Sequence, residues 1–150
     1  MTRIDFYFNV ANKPQVLTDL VQAALIKRRQ VTILAVDEAA AGQISADLWQ
    51  TKPESFLPNV QFNHAHSGST PVLIGLQGDD LINKSTHDDM LINLSASEPS
   101  FFSRFTHLVE LVGMDEQDKS AARLRFKFYR DRGYEIKSTD QAQTNISKVE

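Results

Sequence analysis

The chain has 150 residues, no cysteine and a formal net charge of −3, with 41% hydrophobic and 23% charged residues. One soluble domain is the expectation, long enough to bury a core without covalent staples. The missing cysteines exclude a disulfide framework, a thiol nucleophile, an iron–sulfur cluster and Cys-based zinc sites, and the charge offers no broad attraction for nucleic acid or anionic lipid.

The first half alternates strand and helix signals. Ile4 to Phe8 is short, β-branched and aromatic, as strands are. Asn12 is placed to cap a helix with Pro14 in its first turn, where a missing N–H does no harm. Leu17, Leu20, Val21, Ala24 and Leu25 then recur at helical spacing. Lys27, Arg28 and Arg29 follow at the end that favours cations. The continuous apolar run Val31 to Val36 suits a strand covered on both faces, as in a parallel sheet. Asp37 can cap a second helix, lined by Ala40, Ala41, Ile44 and Leu48 and ending near Trp49. Strand–helix–strand–helix with the usual crossovers gives an α/β fold with a mostly parallel sheet and helices on both faces.

Thr51 to Asn59 and His64 to Thr70 read as loops. Pro71 to Leu76, Met90 to Leu94 and Leu108 to Val112 read as further strands, with a short helix over Pro99 to Phe105. Glu116 to Arg132 is the last long helix, capped by Asp115 and stopped at Gly133, where a left-handed conformation suits glycine. The segment from Lys137 to Glu150 is polar and reads as a flexible tail beyond a domain covering 1–136. The opening Met1-Thr2-Arg3-Ile4-Asp5 has an acid where a secretory signal needs an apolar run, and no stretch reaches the length of a membrane span. A cytoplasmic location is therefore expected.

Several chemistries are missing. The first strand–helix turn, Asn9-Val10-Ala11-Asn12-Lys13, has no glycine, and none of the six glycines in the chain forms a phosphate-cradling loop. His64 and His66, with His87-Asp88-Asp89, could be imagined around a metal. Two polar loops carrying ordinary histidines account for them as well, and no metal or cofactor is expected. No nucleophile turn is recognisable, so nothing points to catalysis.

The last helix is the informative segment. Six bases (Lys119, Arg123, Arg125, Lys127, Arg130 and Arg132) against three acids leave it at +3, so the remaining residues carry −6. Lys119, Arg123, Lys127 and Arg130 fall on one stripe. Ala121, Leu124 and Phe128 fall on another, which reads as the side facing the sheet. Phe126 lies beside the basic stripe, with Tyr129 close to it. An aromatic wall ringed by bases can hold an apolar residue while pairing with carboxylates. The same pattern is what a solvated helix face would show, with Phe126 tucked into the core. A nucleic-acid footprint is a third reading, weakened by the small patch and the acidic remainder. Trp49 at a helix end and Phe56 in the proline loop read as core rings of the domain itself or as candidate interface anchors.

Taken together these segments resemble the chi subunit of bacterial DNA polymerase III holoenzyme. The resemblance is carried by Asp5-Phe6-Tyr7, Asp47-Leu48-Trp49, Pro53-Glu54-Ser55-Phe56-Leu57-Pro58, Met90 to Leu94, and Ala122 to Arg130 with Gly133-Tyr134 behind. It runs from about residue 3 to residue 137, and it is poor from Val60 to Thr70. It implies a three-layer Rossmann-like fold without nucleotide binding, and a non-catalytic clamp-loader accessory subunit in the cytoplasm at the replisome. The implied partners are the psi subunit, met through Trp49 and Phe56, and the acidic, phenylalanine-ended C-terminal tail of single-stranded-DNA-binding protein (SSB). A helicase-like repair protein can share this surface in some relatives. The SSB tail would be held by Lys119, Arg123, Lys127 and Arg130 around a wall of Val112 and Phe126. DNA would be met only indirectly, and membranes not at all. Direct binding of single-stranded nucleic acid by the basic helix is the alternative.

Overall fold

The computed structural model describes residues 2–50, 60–61, 72–76, 88–95, 98–99 and 102–141, without the side chains of 49, 50, 60 and 61. In chain order the elements are β1 (Arg3–Phe8), α1 (Lys13–Ile26), β2 (Val31–Ala35), α2 (Glu38–Gln50), β3 (Val60–Gln61), β4 (Val72–Leu76), β5 (Met90–Asn93), β6 (His107–Leu111), α3 (Glu116–Asp131) and β7 (Ile136–Asp140). The segment expected as a helix before β6 forms a single 3₁₀ turn, Phe102–Arg104. The strands make one sheet in the order β3-β4-β2-β5-β6-β1-β7, and every pairing is parallel.

Local signals fix the helix starts. The Asn12 side chain accepts from Gln15 N at 3.1 Å, Asp37 from Ala40 N at 2.8 Å and Asp115 from Asp118 N at 2.6 Å. Each satisfies a backbone donor that the first turn leaves open. After α3, Gly133 takes a φ of +86°, and the chain turns back toward the sheet.

All five residues of β2 are buried, as a central strand covered on both faces requires. On one face Ile33, Ile74, Ile92 and Val109 pack under Leu17, Val21 and Ala24 of α1 and Ala41, Ile44 and Leu48 of α2. On the other, Ile4, Phe6, Leu91 and Leu108 pack under Ala122 and Tyr129 of α3 and Phe102 of the 3₁₀ turn. The result is the three-layer, Rossmann-like α/β arrangement.

Two expectations need correction. Lys137 to Asp140, expected in the tail, belong instead to β7, parallel to β1 from Ile4↔Ile136 to Phe8↔Asp140. An edge strand can be polar because its hold on the sheet is the backbone ladder, not apolar burial. Residues 142–150 lie outside the described residues. Val36, read as the end of the second strand, lies beyond β2 and is exposed.

Candidate functional site

The helix α3 does not sit on the sheet as its apolar stripe suggested. Its buried residues are Ala122, Arg125 and Tyr129, whereas Leu124 is 73% exposed. The cause lies across the sheet. Glu110 of β6 faces α3 and is fully buried, and it receives Arg125 Nε on Oε1 at 3.1 Å. Its Oε2 accepts from Tyr129 Oη at 2.6 Å and from Asn93 Nδ2 at 3.0 Å. A buried carboxylate must be paired and hydrogen-bonded, so Arg125 belongs beneath the helix. Burial pushes the Glu110 carboxyl up, and its three partners pull it back only in part. Burial, and then the same carboxylate, push the Tyr129 hydroxyl up. Phe128 packs its ring edge-on to Phe102 and lies under the Arg132 guanidinium, 4.1 Å from the ring centre.

With Arg125 turned inward, the outer face keeps Lys119, Arg123, Lys127 and Arg130. Lys119 and Arg123 stand at the rim of a pocket of about 360 Å³. Its apolar wall is made by Phe6 and Phe8 of β1, Val112 after β6, and Ala122 and Phe126 of α3, with Asn9 and Ser138 completing it. Phe126 is half-buried and meets Phe6 edge-to-face, with ring centres 5.3 Å apart. Its ring is therefore fixed while one side stays open to the pocket. Arg123 reaches Glu116 Oε1 at 3.2 Å, a pair exposed on both sides and so easily exchanged for another carboxylate. Asn9 adopts a left-handed φ of +58° and donates from Nδ2 to Asp140 Oδ1 at 3.2 Å, tying the end of β1 to β7.

Four of the expected residues, Val112, Lys119, Arg123 and Phe126, thus come together around one pocket. Lys127 and Arg130 are exposed further along α3 and do not line it. Trp49 lies in α2, its side chain outside the described residues, as is all of Phe56; His64, His66 and His87 are also outside them. Of the acids next to His87, Asp89 is bound to Arg29 at 2.8 Å. Among the described residues no three histidines or carboxylates gather to hold a metal. Sequence reasoning missed Phe6, Phe8, Asn9 and Ser138. The alternation in β1 could have offered the two rings; Ser138 needed β7.

A second crevice opens where β1 and β6 lie side by side while the helices that follow them, α1 and α3, pack on opposite faces. In α/β folds that divergence is where ligands bind. Here Asp118, in the first turn of α3, accepts from Gly113 N at 2.6 Å and pairs with Lys13 Nζ at 2.8 Å. A carboxylate of the chain thus occupies the place suited to a ligand's anion. A Cβ on Gly113 would lie 3.0 Å from Asp118 Oδ2, so glycine is what permits the close approach. Burial raises the Asp118 carboxyl, but Lys13 and the Gly113 N–H outweigh it and leave it below the usual range.

A family model described as "DNA polymerase III chi subunit, HolC" matches residues 1–137. The DNA polymerase III subunit chi of Pseudomonas aeruginosa is 34% identical over 140 residues, covering 91% of this chain and 94% of that protein. Those of Haemophilus influenzae and Escherichia coli K12 are each 32% identical over 108 residues, covering 72% of this chain and 73% and 71% of theirs. The family model's match takes in every residue lining the pocket except Ser138, and the chain belongs to the family of the DNA polymerase III chi subunit.

Proposed function

We propose that the chain is a non-catalytic adaptor of the DNA polymerase III clamp loader that links the psi subunit to the C-terminal tail of SSB, at the replisome in the cytoplasm. The observation that carries this reading is the pocket with an aromatic wall and a cationic rim. A phenylalanine ending in a free carboxylate needs both in one place: a socket for the ring and a cation for the charge. Lys119 and Arg123 are positioned for the terminal carboxylate. Lys127 and Arg130, further along α3, are placed for acids upstream in the tail. Trp49 and Phe56 are assigned to psi through the family resemblance. Joining two modest contacts in one small protein raises the local concentration of the polymerase at SSB-coated DNA. Among the described residues no helix is long and apolar enough to cross a membrane. Direct binding of single-stranded nucleic acid has less support, because Arg125, one of the six bases of the segment, is spent on Glu110.

Titration of a fluorescent peptide carrying an acidic, phenylalanine-ended tail tests the proposal. Saturable binding that weakens with salt is expected. It should be lost when the peptide's terminal carboxylate is amidated. A peptide ignored at low salt, or bound equally well by Phe126→Ala and Arg123→Ala together, would overturn it.

A further inference from the structure

The opposite face of β1 and β7 carries a second concavity, of about 310 Å³, against the C-terminal half of α1. Its centre is His107, the first residue of β6, buried and bonded through Nε2 to Asp5. With Nε2 bound there, Nδ1 faces the cavity. Two guanidinium groups converge on that one nitrogen: Arg3 Nη2 and Arg29 Nη1, each at 3.5 Å. They arrive from different elements, Arg3 from β1 and Arg29 from the turn after α1. Arg29 is held in place by Asp89, which it grips through Nε at 3.0 Å and Nη2 at 2.8 Å. Lys27, which follows α1 as its cap, and Lys137 of β7 also line the cavity, and neither has an ion-pair partner among the described residues.

Four cations thus surround a cavity whose carboxylates are only Asp5 and, behind Arg29, Asp89. Arg3 Nε lies 3.8 Å from Asp5 and Arg29 is bound to Asp89, so the two positive charges left over are those of the exposed Lys27 and Lys137. Two guanidinium groups brought to one imidazole nitrogen repel each other, and an anion between them would relieve that repulsion. Their donors can be no further apart than twice the distance each keeps from Nδ1, a span that one phosphate bridges with two of its oxygens. A phosphate dianion matches the excess charge, and its tetrahedral oxygens can meet cations arriving from β1, the turn after α1 and β7, which a planar carboxylate cannot do as fully.

We propose that the cavity on the α1 side of β1, framed by Arg3, Lys27, Arg29 and Lys137 over His107, binds a phosphate group.

The experiment is an NMR titration of the full chain with inorganic phosphate, against chloride at equal ionic strength. Phosphate should shift the His107 ring and Lys137 side-chain signals saturably, and chloride should not. Arg3→Gln and Lys137→Gln, both at exposed positions, should each weaken binding about tenfold, the scale of one charge-assisted contact. Arg123→Ala, on the other face, should leave it unchanged. A second arm compares a short single-stranded oligonucleotide with and without a 5′-phosphate. Tighter binding of the phosphorylated strand than of inorganic phosphate identifies a strand end as the source, and equal binding identifies a free phosphate or small ester. Equal shifts in chloride, or phosphate shifts that persist in the Arg3→Gln, Lys137→Gln double variant, would overturn the proposal.

Discussion

On the α3 side of β1, Phe6 and Phe8 wall a pocket whose charges stand only at its rim; on the α1 side, Arg3, Asp5 and Tyr7 lie in a groove whose charges reach its floor. The backbone is the same, and the difference is residue parity. Even positions meet the rings of α3, and odd positions meet the C-terminal end of α1, the Lys27 and Arg29 that follow it, and His107 of β6. An almost-peripheral strand therefore presents two unlike recognition surfaces back to back. The neighbour β7 contributes to both, Ser138 to one and Lys137 to the other. The two surfaces share a backbone without sharing a side chain, so they should respond to substitution independently.

The strongest blow to the α3 side is Glu110→Ala. It removes the carboxylate that buried Arg125 faces and the acceptor that Tyr129 and Asn93 share, a loss of about 3–5 kcal/mol by denaturant unfolding. A cost below about 1 kcal/mol would show that this network does not hold α3 to the sheet. Arg123→Ala should weaken the tail peptide by about 1–3 kcal/mol while leaving unfolding unchanged. Lys137→Gln should do nothing to the peptide, and any matching loss would mean the two faces are coupled.

A gentler effect is expected from pH on the α1 side. Burial holds the His107 imidazole below its ordinary value near 6.5, with Arg3 and Arg29 acting the same way and Asp5 opposing them. Between the folded and unfolded values the unfolded chain binds more protons than the native one. Stability should therefore fall as pH drops below about 6.5, and His107 adds no further loss once its folded value is passed. The slope in that window should vanish in His107→Gln; if it persists, another group carries it. At lower pH Asp89 and Asp118 take over, both held below the usual carboxylate range by their cationic partners despite burial. Their contribution is lost as pH falls through their depressed values. The smallest change is Arg130→Ala, exposed and off the pocket, which should alter peptide affinity by less than about 0.5 kcal/mol.

What could be read from the sequence was what acts locally. The three caps at Asn12, Asp37 and Asp115, the apolar run of β2 and the stop at Gly133 each depend on residues within a few positions. The alternating strand–helix order then fixed the parallel sheet. Two things escaped because their causes are distant. The strand β7 is polar and is recognisable only beside β1, and the rotation of α3 is set by Glu110, fifteen residues before Arg125. Counting apolar positions alone chose Leu124 for the core and counted Arg125 with the surface charge. The site was half legible: the bases and Phe126 stood out, but the wall they share with Phe6 and Phe8 existed only once β1 was placed under α3.

The bridge from Lys13 to Asp118 leaves the crevice beside β1 and β6 with its charge already answered from within. One carboxylate of α3 meets both the lysine and the backbone amide that an incoming anion would need. A negatively charged visitor must therefore displace a competitor tethered to the chain, which is always at hand.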